Sequence, residues 1–250
     1  MGFSDHFSSL AGQYAEFRPS YPDALFVWLA EVAQARKLVW DCGSGGGQAS
    51  RGLAKHFRSV IATDASRKQI AAAPAHRRIT YRVAEVEGLN LDTHSVDMVT
   101  AAQAVHWFKL NRFYKKVRHV TKPGGVIAFW CYQFFSLPEQ PVIMERVERF
   151  KDKVRPYWPP ERAYTDAGYR NLPFPFTQEI KSPKFQIEES LDLPHFLGYL
   201  RSWSATDLFK KANAGIDPVV DLERELGPLW GRPDEPHKIT FPICMRVARL

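Results

Sequence analysis

Cysteine is scarce. Only Cys42, Cys131 and Cys244 occur in 250 residues, far apart and without a CxxC pair. That argues against both a disulfide framework and a structural zinc site, so no metal is expected. No apolar run has the length needed to cross a bilayer, and the first twenty residues, MGFSDHFSSLAGQYAEFRPS, lack the apolar segment of a secretion signal. The expectation is a cytoplasmic protein with no membrane partner. Sustained runs of one charge are missing as well. Lys and Arg number 34 against 27 Asp and Glu, a formal charge of +7, which keeps an anionic small substrate in view. The basic residues are scattered in pairs such as Arg77-Arg78, Lys115-Lys116 and Lys210-Lys211, as on solvated helix faces, and this disfavours a nucleic-acid partner. Internal repeats and low-complexity tracts are absent too.

What is present is enough apolar material, 45% of the chain, for one large α/β domain with an elaboration. Up to about residue 132, short β-branched runs alternate with segments of helical period, the pattern of a parallel sheet covered on both faces. Strands are predicted near 37–41 (KLVWD), 58–63 (RSVIAT), 79–83 (ITYRV), 97–101 (DMVTA) and 125–132 (GVIAFWCY). Leu25, Trp28, Leu29 and Val32 share one helical face behind Pro22-Asp23, and Leu110, Phe113, Tyr114 and Val117 repeat that spacing. Lys122-Pro123-Gly124-Gly125 then predicts a stop and a turn into the next strand.

Beyond residue 135 the texture changes. A helix carrying Ile143, Val147, Phe150 and Val154 leads into 156–176, where five prolines alternate with Tyr157, Trp158, Tyr164, Tyr169, Phe174 and Phe176. Such a stretch suits neither a regular helix nor a central strand, and so many rings point to an ordered insertion rather than a linker. The remainder predicts a strand around 178–188, helices over about 192–203 and 218–226, and a closing strand at 238–249. The expected organisation is a ligand-binding core over 1–135, a cap insertion over 136–190, and a C-terminal part over 191–250 that completes the sheet and the pocket.

Directly after the first strand stands DCGSGGGQAS, with Asp41 at the strand end, Gly43, Gly45 and Gly47 at alternate positions, and a helix-competent run from Gln48 to Phe57 behind. Glycines there let a ligand approach the backbone, and the following helix offers unpaired N–H groups. The dinucleotide fingerprint GxGxxG would need a third glycine where Gln48 stands, so NAD is disfavoured. A nucleotide-hydrolase phosphate loop needs a lysine, and none occurs between Lys37 and Lys55. A carboxylate at Asp41 would repel a diphosphate but suits a ligand with a cationic end.

The DxGxGxG loop resembles the first motif of class I S-adenosylmethionine-dependent methyltransferases, and the resemblance extends position by position over residues 10–135. It implies a Rossmann-like, doubly wound, mostly parallel sheet of seven strands whose last strand is antiparallel, with S-adenosylmethionine as cofactor. It also implies that Asp64, at the end of the second strand, accepts both ribose hydroxyls, and that Ala84 and Glu85 after the third read the adenine edge. Gln103 and Ala104, in AAQAVHWF after the fourth strand, would flank the methionine part, and Lys122-Pro123-Gly124-Gly125 matches the family's turn before strand five. Each landmark has a plainer alternative. Gly46 and Gly47 could make a tight turn, Asp64 could cap a helix, and Glu85 could face solvent.

The stretch from Tyr14 to Pro22 resembles the YxxxRPxYP segment of the small-molecule branch that includes trans-aconitate methyltransferases, and Tyr199 to Ala205 with Phe241-Pro242 extends that likeness thinly to the end. Arg18, held by Pro19, would then meet the methionine carboxylate; a surface ion pair is the alternative. His106 is the candidate base for a phenol or alcohol acceptor, with packing as an equal reading; a carboxylate acceptor would need no base. Tyr21, Trp107, Tyr132 and Trp203 are the expected acceptor contacts, with Trp130 and Trp158 as further candidate walls, although aromatics in such positions are often core. The leading expectation is methyl transfer to a carboxylate or hydroxyl oxygen of a small organic acceptor, by a monomer or homodimer. Methylation of RNA or protein, and a non-catalytic binding module, remain the alternatives.

Overall fold

The computed structural model describes residues 17–250; Tyr14, Ala15 and Glu16, and the segment read for a secretion signal up to that point, lie outside the described residues. One sheet organises the chain. Its strands are β1 (Leu38–Cys42), β2 (Ser59–Asp64), β3 (Ile79–Val83), β4 (Val96–Ala102), β5 (Thr121–Tyr132), β6 (Gln178–Glu179), β7 (Phe185–Leu191) and β8 (His237–Arg249). The spatial order is β3-β2-β1-β4-β5-β8-β6, with β7 also paired to β8. β1 to β5 run parallel, and β8 is antiparallel to β5. The expected seven positions across the sheet are therefore present, the outermost shared by two short strands.

Burial explains this arrangement. Val39, Met98, Val126 and Ala128 face one apolar layer, while Trp40, Val99, Ile127 and Phe129 face the other, so the inner strands read as continuous apolar runs. Helices α1 (Asp23–Val32) and α2 (Gln48–His56) follow the expected positions on the first half, α3 (Arg67–Ala72) is a short helix not anticipated, and α4 (Leu110–Val120) covers the other layer. Strand order reverses at β1: β2 and β3 are added on one side of it and β4 and β5 on the other. The connections leaving the carboxyl ends of β1 and β4 therefore depart to opposite faces of the sheet, and a crevice opens between them.

Several boundaries differ from the sequence expectation. Lys122-Pro123-Gly124-Gly125 does not precede the fifth strand; it lies inside β5, where the register against β4 shifts between Val96 and Met98. Gly124 takes φ +76° there. The single strand expected around 178–188 is two, because Pro183 interrupts the ladder. Helix α9 (Val219–Trp230) runs past Gly227-Pro228, since Trp230 is buried and donates its indole N–H to the Glu235 carbonyl at 2.9 Å.

The elaboration is built around α5 (Pro141–Val154), the short α6 (Arg162–Asp166), α7 (Leu193–Arg201) and α8 (Ser204–Ala212), the last not anticipated. The proline-rich stretch is tied down by α4. Tyr114 donates to the Pro173 carbonyl at 2.5 Å and Arg118 to that of Pro175 at 2.7 Å. Tyr169 and Phe176 are buried in the layer beneath. No helix among the described residues is long and apolar enough to cross a membrane.

Candidate functional site

A cleft of about 650 Å³ occupies the crevice beyond the carboxyl ends of β1, β2 and β4, a size suited to a nucleoside-bearing ligand. Its floor is the turn after β1. Gly43 has φ +64°, and a Cβ there would lie 2.6 Å from the Cβ of Ala104. The loop therefore passes against the segment after β4 at a distance no side chain would permit.

The acidic end of β2 is bonded to this turn. Asp64 Oδ2 accepts from the Gly45 N–H at 2.9 Å and Oδ1 from the Ser66 N–H at 2.8 Å. The Ala84 N–H donates to the Asp64 carbonyl at 3.0 Å, which brings Ala84 and exposed Glu85 to the same wall. On the opposite side Gln103, at φ +52°, donates its backbone N–H to the Trp130 carbonyl at 2.8 Å. Arg18 donates to the Tyr132 hydroxyl at 2.8 Å and to the Ser202 carbonyl at 3.0 Å. Arg18, Tyr21, Gly43, Gly45, Asp64, Ala84, Glu85, Gln103, Ala104, Trp107 and Tyr132, all expected from the sequence, line this one cleft.

Four expected residues do not. Asp41 is fully buried behind the loop, its oxygens accepting from Ser50 Oγ at 2.5 Å and Thr100 Oγ1 at 2.9 Å. Burial raises its pKa to about 6 despite both hydrogen bonds. It braces β1 against α2 and β4 and presents no carboxylate to the cleft. Gly47, with φ +78°, caps α2 and packs under the Tyr81 hydroxyl. His106 turns away: its Nδ1 lies 2.8 Å from the Tyr169 hydroxyl, and burial, aided by the charge of Arg162, pushes its pKa down to about 3. It does not line the cleft, which removes the geometric basis for its role as a base. Trp203 is buried among Phe135, Phe150, Trp158 and Tyr199, and lines a small annex rather than the main cleft. Trp130, considered as a wall, is wholly buried core.

Residues not anticipated also line the cleft, among them Ser44, Gln48, Ser66, Val86, Phe108 and Glu161. Most adjoin a recognised motif in sequence. Glu161 arrives from the cap, and no local pattern marks it. Ser44 Oγ and Gln103 Oε1 are buried without a hydrogen-bond partner among the described residues. Both belong to the cleft lining, so the wall offers polar atoms to a ligand. Carboxylates at Asp64 and Glu85 match hydroxyl and amine donors. These features fit an adenosine carrying a charged amino-acid arm.

Residues 40–129 match the family model described as a methyltransferase domain. A Dictyostelium discoideum protein named for methyltransferase activity is 30% identical over 256 residues, spanning 99% of this chain and 95% of its own. A Saccharomyces cerevisiae protein whose name places it among S-adenosylmethionine-dependent methyltransferases is 24% identical, over 85% of this chain and 84% of its own. Among solved structures, that of an Anaeromyxobacter dehalogenans protein named as a type II methyltransferase is 44% identical, covers 93% of this chain and 98% of that one, and superposes with a TM-score of 0.85.

Proposed function

The chain belongs to the class I S-adenosylmethionine-dependent methyltransferases, and from that premise we propose that it methylates a carboxylate or hydroxyl oxygen of a small organic acceptor. The reading rests on one observation: the crevice beside β1 gathers the glycine turn, Asp64, Glu85 and Gln103 around a single cleft of about 650 Å³.

In this reading Asp64 accepts the two ribose hydroxyls while staying bonded to Gly45. Ala84 lies along the adenine edge with its N–H bonded to the Asp64 carbonyl, and the Glu85 carboxylate reads that edge. Arg18, oriented by Tyr132 and Ser202, meets the carboxylate of the amino-acid arm. Gly43 and Gly45 let the loop close on the ligand, and Gln103 and Ala104 flank the arm. Tyr21, Trp107 and Tyr132 line the acceptor side and keep water out. When bound, S-adenosylmethionine supplies an electrophilic methyl on a cationic sulfur; the oxygen–carbon bond forms as the carbon–sulfur bond breaks, with its electron pair going to sulfur. Most of the acceleration then comes from holding acceptor and methyl at attack distance in a dry site. With His106 facing Tyr169, an oxygen that enters already ionised is the simplest nucleophile, a hydroxyl acceptor giving its proton to water before transfer. Residues up to 135 hold the donor, and the cap with the segment through 205 shapes the acceptor site.

Calorimetry with S-adenosylmethionine and S-adenosylhomocysteine tests the donor site; binding is expected, and a protein that takes neither overturns the assignment of these residues. Turnover with labelled methyl donor in a metabolite extract tests the acceptor. Label on small oxygen esters or ethers supports the reading, and label confined to RNA or protein overturns it.

A further inference from the structure

Beside the main cleft lies an annex of about 30 Å³, and Arg18 and Tyr132 line both spaces. Their hydrogen bond, at 2.8 Å, stands where the two adjoin. Beyond it the annex is walled by Trp158 and Arg162 from the cap, and by Tyr199 and Trp203 from the α7 region. Its volume admits one small polar group and little more.

Arg162 is held ready for such a group. Its Nε donates to Asp166 Oδ1 at 2.8 Å, and its guanidinium lies 4.6 Å from the centre of the Trp158 ring. One contact fixes the plane and the other fixes rotation within it. The terminal nitrogens have no hydrogen-bond partner among the described residues, so an edge carrying several N–H donors is left over. The Tyr199 hydroxyl cannot serve as an anion here, because burial keeps its pKa well above the usual phenol range, Tyr132 adding to the effect. Asp166 is already engaged by Arg162, and Lys151, which stacks on the Phe134 ring lining the annex, is paired with Glu148 at 3.0 Å, so Arg162 is the cation that faces the space. A planar carboxylate matches the guanidinium edge and the space.

We infer that the annex is an anchoring subsite for a carboxylate of the acceptor, with Arg162 as its specificity-determining residue, and that this carboxylate is not the group methylated. It rests on the methyltransferase reading above, and adds that the acceptor has two functional parts. One is anchored behind the Arg18–Tyr132 hydrogen bond, and the other is presented to the donor in the main cleft. Remote binding of this kind positions the reacting atom without touching it.

The test compares wild type with Arg162→Lys and Arg162→Met. In a metabolite extract with labelled methyl donor, the main product should retain a free carboxylate after methylation. For that acceptor, Arg162→Met should raise KM about 10- to 100-fold with little change in kcat, and Arg162→Lys should fall between. Independently of turnover, acetate added to protein saturated with S-adenosylhomocysteine should change tryptophan fluorescence saturably at constant ionic strength, through Trp158 and Trp203. Acetamide should not, and Arg162→Met should abolish the acetate response. A main product without a free carboxylate, a KM within about twofold of wild type in Arg162→Met, or equal responses to acetate and acetamide overturns the proposal. Calorimetry with S-adenosylhomocysteine separates the two failures. Wild type that binds it yet fails these tests sinks the annex alone, whereas wild type that does not bind it sinks the donor-site reading beneath.

Discussion

Gly45 donates its backbone N–H to Oδ2 of Asp64 at 2.9 Å, so the turn after β1 and the acidic end of β2 form one bonded unit. In the proposed donor site, where Asp64 would receive hydroxyl donors, the carboxylate is thereby held in place by the loop beside it. Strand pairing alone would not do this, since β1 and β2 are bonded through their backbones along Leu38–Cys42 and Ser59–Thr63.

Asp64→Ala removes both the hydroxyl acceptor and the anchor of the turn. Affinity for S-adenosylhomocysteine should fall about 10- to 100-fold. Asp64→Asn keeps one acceptor oxygen and should lose less. Calorimetry on both variants checks the order, and an Ala variant that binds as tightly as wild type would remove Asp64 from the donor site.

Gly43→Ala should destabilise the fold by about 1–3 kcal/mol, because φ is +64° and the new methyl would meet Ala104 Cβ at 2.6 Å. Gly46→Ala is the control. Its nearest neighbour would be Gln69 Oε1 at 3.8 Å, with no positive φ, so stability should stay within about 0.5 kcal/mol. Urea unfolding of the pair decides, and equal midpoints would contradict the close approach of the two segments.

His106 carries a pH signature. Its folded pKa is depressed to about 3 from 6.5, so between these values the unfolded chain binds the proton that the folded one refuses. The stability it confers is present above pH 6.5 and lost as pH falls towards 3, with a slope of at most about 1.4 kcal/mol per pH unit. The stability difference between wild type and His106→Gln should therefore grow from pH 3 to 6.5 and level off above 7. A flat difference across chemical denaturation at these pH values would show that His106 is not buried as described.

Asp97 is buried at the start of β4 and accepts from the Lys37 and Leu38 N–H groups at 2.7 and 2.8 Å and from Lys122 Nζ at 2.5 Å. Burial alone would raise its pKa; the hydrogen bonds from Lys122, Leu38 and Lys37 hold it below the usual value. Its contribution is present above the unfolded pKa of 3.8 and lost as pH falls below it. Asp97→Ala leaves two backbone donors unsatisfied, while partly exposed Lys122 can turn to water, and should cost about 1–3 kcal/mol at pH 7. A loss under about 1 kcal/mol in urea unfolding would contradict this.

Most of the candidate site is legible because its residues sit at or just beyond strand ends, where pattern and position coincide. Gly43, Gly45, Asp64, Ala84, Glu85 and Gln103 follow β1 to β4 in order and meet in one cleft. Asp41 stands apart from the cleft for a reason of the same kind. It is the fourth residue of β1, still inside the strand, where a side chain one position from the turn is claimed by Ser50 and Thr100. His106 was beyond reach because its partner, Tyr169, is 63 positions away. Glu161 and the annex were equally hidden.

Local chemistry accounts for what could be read from the amino acids: β-branched runs make strands, glycines permit the turn, and acids at strand ends await donors, all over spans of a few residues. Folding added the direction in which each polar side chain points and the company it keeps. Arg18, Tyr132, Arg162 and Tyr199 share a wall because the sheet and the cap bury their apolar surfaces together, and burial free energy depends on neighbours far apart along the chain, which local spacing does not encode.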